Sequence, residues 1–513
     1  MRGAAARLAL AVWIVASIKL AVHLATQLFS GRWGYEYFVD ELYFEACARH
    51  LAWGYIDMPP FHPALTAAVR AVFGDSLFAI RVLPAVAGAA LVLLAGLLAR
   101  DLGGGRGAQL LAAVAVAVAP VVLVANSLSS MNAWEPLIWT SCAILVARLL
   151  DGADPRLWLA FGLIAGIGLL NKHTMGLFGA GVAVGLVSTA RGRALFRGRW
   201  IWIGAAAAFF VFLPNLVWNI REGFPFFELQ EAIRQNRRNV ELSPVSFLGQ
   251  QVLLLHPLAA PLWIGGLVWL LFGREGRRYR PLGIAYLVIL AALLAMNGRV
   301  YYLAPAYPIL FAAGGVAAER VFPARLAWIR RAYAAILVVS GMLLAPMAFP
   351  LLPPETYIAY SKALGMAPPA IETHRMGPLP QLLADRFGWK EMAAEAARIY
   401  RSLPPEERAG ARVYGQNYGQ AGAIDEHGPA LGLPPALSGH LAYHSWGPPA
   451  EDPTVLIVLD DDRETLESLF ESVELAGRVS HPYSMPYQHF DVWVCRKPRV
   501  SLREIWPRLR ELG

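Results

Sequence analysis

Leu8-Ala-Leu-Ala-Val-Trp-Ile-Val-Ala-Ser-Ile-Lys19-Leu-Ala-Val-His23-Leu-Ala-Thr-Gln-Leu-Phe29 opens the chain behind Arg2 and Arg7. The run is longer than the roughly 7–15 apolar residues of a cleaved secretory signal, and Gln27, Leu28 and Phe29 stand where such a signal carries small residues. It reads as a retained first membrane-crossing helix. Comparable stretches recur at 78–100, 107–125, 134–150, 156–171, 174–190, 201–220, 250–272, 281–297, 303–319 and 328–350. Most approach the roughly 17–25 residues that cross hydrocarbon as a helix, the one open-ended element that satisfies its own backbone there. With 57% hydrophobic and only 16% charged residues, the chain is far from the roughly 25% charge of soluble domains. The expectation is an α-helical polytopic membrane protein with about eleven transmembrane helices.

The net charge of +8 does not point to nucleic acid, because the arginines are spread through short loops rather than gathered on one face. They report topology instead. Arg100 and Arg106, Arg148 and Arg156, Arg191 to Arg199, Arg274 to Arg280 and Arg320 to Arg331 fall in alternate loops. By the positive-inside rule those loops and the N-terminus are cytoplasmic. An odd number of spans then leaves the C-terminal segment outside, in the periplasm of a bacterial inner (plasma) membrane protein. Composition turns soluble-like near Pro350, so the domains divide as 1–352, transmembrane, and 353–513, a small periplasmic α/β domain. In the latter, helix signals (389–400, 463–470) alternate with short strand-like runs (454–459, 490–495), which predicts a mixed sheet. Cys47, Cys142 and Cys495 lack metal-ligand spacing, although Cys47 and Cys495 could meet on the outer side.

The same parity gathers Asp40, Glu41, Asp57, His62, Glu135, Asn171, Lys172, His173, Arg221, Arg299, Tyr301 and Tyr302 on the outer side. Between the first two spans runs Gly34-Tyr-Glu-Tyr-Phe-Val-Asp40-Glu41-Leu-Tyr43-Phe-Glu45, then a helical stretch to Trp53, then Gly54-Tyr-Ile-Asp57-Met58-Pro59-Pro60-Phe-His62-Pro63. A surface helix ended by Gly54 fits this pattern, with Asp40 as its N-cap. Like-charge repulsion between Asp40 and Glu41 would raise one carboxyl pKa toward that of a general base.

The loop resembles the first outer loop of the family 39 and 83 glycosyltransferases. These include dolichyl-phosphate-mannose-protein mannosyltransferases and the bacterial aminoarabinose and RgtA/B/C/D-like lipid glycosyltransferases, all of the GT-C fold. The resemblance runs on, in order, through Arg81-Val-Leu-Pro84, Met131-Asn132-Ala-Trp-Glu135-Pro136 and Asn171-Lys172. It continues through Leu213-Pro214-Asn215-Leu-Val-Trp218-Asn219, Phe247-Leu-Gly-Gln250-Gln251 and Tyr301-Tyr302-Leu-Ala-Pro305. It covers about residues 1 to 320.

The resemblance implies transfer of a sugar from a polyprenyl-phosphate donor to an acceptor hydroxyl on a lipid, glycan or protein, with inversion, at the periplasmic face. Asp40 takes the position of the catalytic base and Glu41 supports it by hydrogen bonding. Arg299, Tyr302, Lys172 and Arg221 are the candidate donors to the phosphate, with Arg299 and Tyr302 the favoured pair. Asp57, His62, Glu135 and Tyr301 are candidates for sugar or acceptor contact. No cofactor is required by the residues, and a divalent cation stays open. Met58 departs from the aminoarabinose-transferring relatives, which carry lysine there, and this puts that activity in doubt.

Two further expectations concern the rest of the chain. The loop from Arg221 to Gln250 mixes Phe224, Phe226, Phe227 and Leu229 with Arg234, Arg237 and Arg238, which suits a lid over a lipid-phosphate cleft. The segments 413–422, 438–440 and 444–446 interleave aromatic residues with Asn, Gln and His, as acceptor-sugar contacts require. The rival class is a transporter or flippase of lipid-linked sugars, which would place its ionisable residues at mid-membrane. Only Lys19 and His23 lie well inside a span.

Overall fold

The computed structural model describes residues 8–236, 242–365 and 375–512. Among the described residues, seven helices are long and apolar enough to cross a membrane: Leu10–Trp33, Leu77–Asp101, Met131–Leu150, Arg199–Arg221, Gly276–Ala295, Val300–Val321 and Ala324–Ala348. An eighth crossing is available if the pair Pro244–Leu254 and Pro257–Phe272, bent by 99°, counts as one span. Arg106–Val118, Leu157–Asn171 and Met175–Val187 are apolar but short. They stand at the positions of the third, fifth and sixth expected spans, and at about 1.5 Å per residue none alone reaches across about 30 Å of hydrocarbon.

Two expected spans are broken, each at a proline. The expected span 250–272 begins instead at 257, because Pro257 disfavours helical backbone at His256, which sits at φ 80°. In the same way Pro120 interrupts 107–125, with Ala119 extended between Arg106–Val118 and Pro120–Ala125.

Small residues set how the spans meet. Gly162 and Gly166 let Leu157–Asn171 close on Gly204 and Val211 of Arg199–Arg221, where any Cβ would strike backbone or the valine. Gly266 and Gly314 do the same between Ala260–Phe272 and Tyr307–Val321. Close backbone approach is how helices gain packing energy where lipid offers no hydrophobic drive.

The C-terminal segment folds around a four-stranded mixed sheet: β1 (Ala411–Gly415), β2 (Val455–Leu459), β3 (Phe470–Val479) and β4 (Phe490–Pro498), in the order β1-β2-β4-β3. β1 and β2 are parallel, and the other pairings are antiparallel. Helices Trp389–Ser402 and Arg463–Leu469 lie where the sequence places them. β1 and β3 are not foreseen; along β3, Phe-Glu-Ser-Val-Glu-Leu, burial shows no alternation. Cys47, Cys142 and Cys495 are free and buried, so the Cys47–Cys495 meeting does not occur.

The first loop is continuous with this C-terminal fold. Tyr37, Leu42, Tyr43, Phe44 and Cys47 of the loop share one buried apolar cluster with Trp389, Ala396, Val413, Ala421 and Ile457. Helix Pro225–Gln235 adds Leu229 to the same cluster, and its Glu228 pairs with Arg510 at 2.7 Å. The expected lid therefore rests, in its first half, on the C-terminal fold; Arg237 and Arg238 lie outside the described residues.

Candidate active site

The acid loop forms a short helix, Val39–Arg49, whose N-cap is Phe38 and not Asp40. Asp40 and Glu41 occupy its first turn, where carboxylates favour the positive end of the helix dipole. The helix stops at Arg49, with His50 leaving helical geometry. Gly54 does not end it. Instead Gly54 lies flat against the Trp218 ring, and a Cβ there would sit 2.8 Å from Asn215 Nδ2. Asn215 Nδ2 donates to the Trp53 carbonyl at 2.7 Å, so the Pro-Asn-x-x-Trp-Asn stretch is a clamp on this loop.

Glu41 and Asp40 part company. The Glu41 carboxylate accepts from Arg81 Nε at 2.8 Å, from the Ser129 amide at 2.7 Å and from the Phe38 amide at 2.9 Å, the last satisfying the N-cap backbone. Burial alone would raise its pKa; the Arg81 guanidinium overrides that and holds the carboxyl below its usual value. The repulsion-raised acid pair is therefore not formed, since Glu41 is neutralised by a cation 40 residues away. Arg386, from the C-terminal fold, adds a second buried guanidinium near this pair. Burial and the Arg81 charge lower its pKa to about 9.

Asp40 is half-buried and accepts from the Tyr418 hydroxyl at 2.8 Å. It lies within electrostatic reach of Asp57 and of Tyr301. Asp57 accepts from the Tyr43 hydroxyl at 2.8 Å, and burial first, with the Asp40 charge adding, pushes its pKa up to about 6.

Among the residues expected to donate to a phosphate, the pairing differs from the expected one. Arg299 donates to Tyr301, while Lys172 sits over the Tyr302 ring at 4.3 Å and over the Tyr301 ring at 5.3 Å. Lys172 Nζ also donates to Asn132 at 2.9 Å and pairs with Glu135 at 3.2 Å. Glu135 is nearly fully buried and accepts from Thr174 as well, so it holds Lys172 in place. Asn171 donates to the Met131 carbonyl at 3.0 Å and Gln251 to the Val300 carbonyl at 2.9 Å. These motif residues pin the backbone on which Asn132 and Tyr301 stand.

Two candidates fall away from the cluster. His62 is buried edge-on against Phe44, with Nε2 3.5 Å from the Ser129 hydroxyl. Burial lowers its pKa to about 4, so it is neutral near pH 7 and supplies no charge to a phosphate. Arg221 ends its helix exposed. Among the described residues, no group of three or more His, Cys, Asp or Glu is arranged to hold a metal ion.

Tyr43 and Tyr418 are absent from the sequence-derived roles at this site. Tyr43 carried a signal, since it follows the acid pair by two residues; Tyr418 was visible only as one aromatic among the C-terminal segments thought to touch sugar. In the same segments His440 stacks under Tyr418 at 5.1 Å, His444 stacks on Trp506, and Trp446 stacks on His50 at 4.3 Å. These rings are engaged within the protein.

Residues 57–218 match the family model described as dolichyl-phosphate-mannose-protein mannosyltransferase. No curated protein matches the chain by sequence. Among solved structures, ArnT from Cupriavidus metallidurans bound to undecaprenyl phosphate is 16% identical, with a TM-score of 0.59 over 94% of this chain and 97% of that one. The arabinofuranosyltransferase AftD from Mycobacteria is also 16% identical, with a TM-score of 0.55 over 96% of this chain and 40% of that one. The chain thus has the GT-C fold and is mannosyltransferase-like over its matched segment.

Proposed function

We propose that this GT-C-fold membrane protein transfers a sugar from a polyprenyl-phosphate donor to an acceptor hydroxyl at the external face of a bacterial inner membrane. The partial family match and the likeness to ArnT and AftD support a membrane glycosyltransferase with a lipid-linked donor, and the transporter alternative is not favoured. The observation that carries the reading is the convergence on one place of Asp40, Asp57, Tyr301 and the Lys172–Tyr302 contact, drawn from four separate segments.

In this reading the acceptor oxygen attacks the anomeric carbon while its proton passes to Asp40, and the bond from that carbon to the phosphate oxygen breaks with inversion. The departing lipid phosphate gains negative charge. Arg299, Lys172 and the Tyr301 and Tyr302 hydroxyls supply the cations and donors that stabilise it. Glu41 does not carry a proton; with Arg81 it fixes the first turn on which Asp40 stands. Asp57 protonates near neutrality and lies beside Asp40, which suits contact with a sugar hydroxyl. The acceptor, whether lipid, glycan or protein, is left open.

The test is transfer by purified protein from a synthetic polyprenyl-phosphate sugar in detergent or liposomes. Release of polyprenyl phosphate matched by glycosylated acceptor supports the reading; movement of intact donor across the bilayer without bond cleavage overturns it.

A further inference from the structure

The helix Tyr418–His427 lies flush on the acid-loop helix Val39–Arg49, and two glycines make that fit. A Cβ on Gly419 would come within 2.5 Å of Val39 Cγ2, and one on Gly422 within 3.0 Å of Leu42 Cβ. Polar contacts then run along the length of the pair. Tyr37 donates to Glu426 at 3.0 Å, Arg49 pairs with Glu426, and Arg49 also donates to the Asp425 carbonyl at 3.1 Å. From the neighbouring turn the Ala442 amide donates to the Tyr43 hydroxyl at 3.3 Å, the same hydroxyl that donates to Asp57.

Tyr418 is fixed from three sides. Its ring packs between His440, at 5.1 Å, and Tyr43, at 4.8 Å, and its own amide donates to His440 Nδ1 at 3.2 Å. Asn417 caps the helix it begins, accepting from the Gln420 amide at 3.0 Å. A side chain so confined has already lost its rotamer freedom. Its hydroxyl therefore restrains whatever it touches, and it touches Asp40.

From this geometry we propose that the C-terminal fold is part of the catalytic apparatus and that Tyr418 is the positioning residue for Asp40. The hydroxyl donates one hydrogen bond to Asp40 Oδ1, selecting one orientation of the carboxylate and favouring its charged form. The C-terminal fold thus sets the base across 378 residues of sequence. This proposal rests on the reading of Asp40 as base.

The test compares Tyr418→Phe, Asp40→Asn and the double variant in the full-length protein, assayed for transfer from a synthetic polyprenyl-phosphate sugar across pH 5 to 9. Tyr418→Phe keeps the ring between His440 and Tyr43, so the fold is retained. Its kcat should fall about tenfold to a hundredfold with the donor KM nearly unchanged, as for a lost hydrogen bond to a charged group. The acid limb of its kcat/KM profile should move to higher pH, which a merely structural role would not produce. In the Asp40→Asn background, adding Tyr418→Phe should cost little more. An inactive Asp40→Asn beside a Tyr418→Phe with normal kcat and an unmoved acid limb overturns the positioning role alone. A fully active Asp40→Asn overturns the base reading beneath it.

Discussion

Glu41 and Arg81 meet as a buried ion pair, 1% and 2% exposed, which joins the acid-loop helix to the start of the span Leu77–Asp101. Arg81 also donates to the Glu36 carbonyl at 2.9 Å, so one guanidinium holds both ends of the turn that carries Asp40. Removing one partner leaves the other charged and buried. Arg81→Met should therefore cost about 3–5 kcal/mol of stability. Glu41 has a depressed folded pKa, so its contribution is present above the unfolded value near 4.3 and fades as pH falls through the folded one. Thermal melting of wild type and Glu41→Gln in detergent should converge as pH drops below about 4. A constant gap down to pH 3 would mean that the pair is not what stabilises the turn.

Asp57 behaves in the opposite sense. Its folded pKa, near 6, lies above the unfolded value, so folding favours its protonated form. The stability it contributes is present below about pH 4 and is lost as pH rises through about 6. Asp57→Asn can still accept from Tyr43 without ionising. Its melting temperature relative to wild type should be higher at pH 8 than at pH 5, and an equal difference at both would refute the assignment.

Lys172 has two jobs that can be separated. Lys172→Ala should weaken donor use about ten- to a hundredfold and also destabilise the protein, because Glu135 is left buried and unpaired. Adding Glu135→Gln should restore stability while leaving donor use weak. Arg299→Ala should likewise weaken donor use about ten- to a hundredfold. Recovery of transfer in Lys172→Ala with Glu135→Gln would remove Lys172 from the phosphate site.

How much of this was legible beforehand follows from the range of each interaction. Apolar runs and strand-like segments are local signals, so the long helices and two of the four strands, β2 and β4, could be read directly. Pro257 and Pro120 were local signals too, and they mark the two places where expected spans break. The partners were not legible. Glu41 looked like the companion of Asp40 because it is adjacent, but consecutive residues on a helix point to different faces, and Arg81 and Ser129 lie where Glu41 points. His62 was a candidate for sugar or acceptor contact; its burial, with its ring edge-on to Phe44 of another helix, takes it out of the cluster. Tyr418 required the C-terminal fold to be seated on the loop, which no short stretch of sequence records.

Topology is tested independently of chemistry. The proposed function requires Asp40, Glu135, Lys172, Arg299 and the C-terminal fold to lie on the external face. A phosphatase reporter active only outside the cytoplasm, fused after Gly513, should be active. A stable but inactive fusion would shift the span count by one and place the candidate site on the wrong side.

The central claim is that Asp40 accepts the acceptor's proton, and the substitution that isolates it is Asp40→Asn. The amide keeps the size of the carboxylate and can still accept from Tyr418, and position 40 is not the helix N-cap, so the fold should be unaffected. The measurement is the rate of sugar transfer from a polyprenyl-phosphate donor by purified wild type and Asp40→Asn, with donor binding measured alongside. The account predicts a fall in turnover of about 10²–10⁴ with donor binding largely kept. Wild-type turnover in Asp40→Asn would contradict it and leave the likeness to glycosyltransferases as one of fold alone.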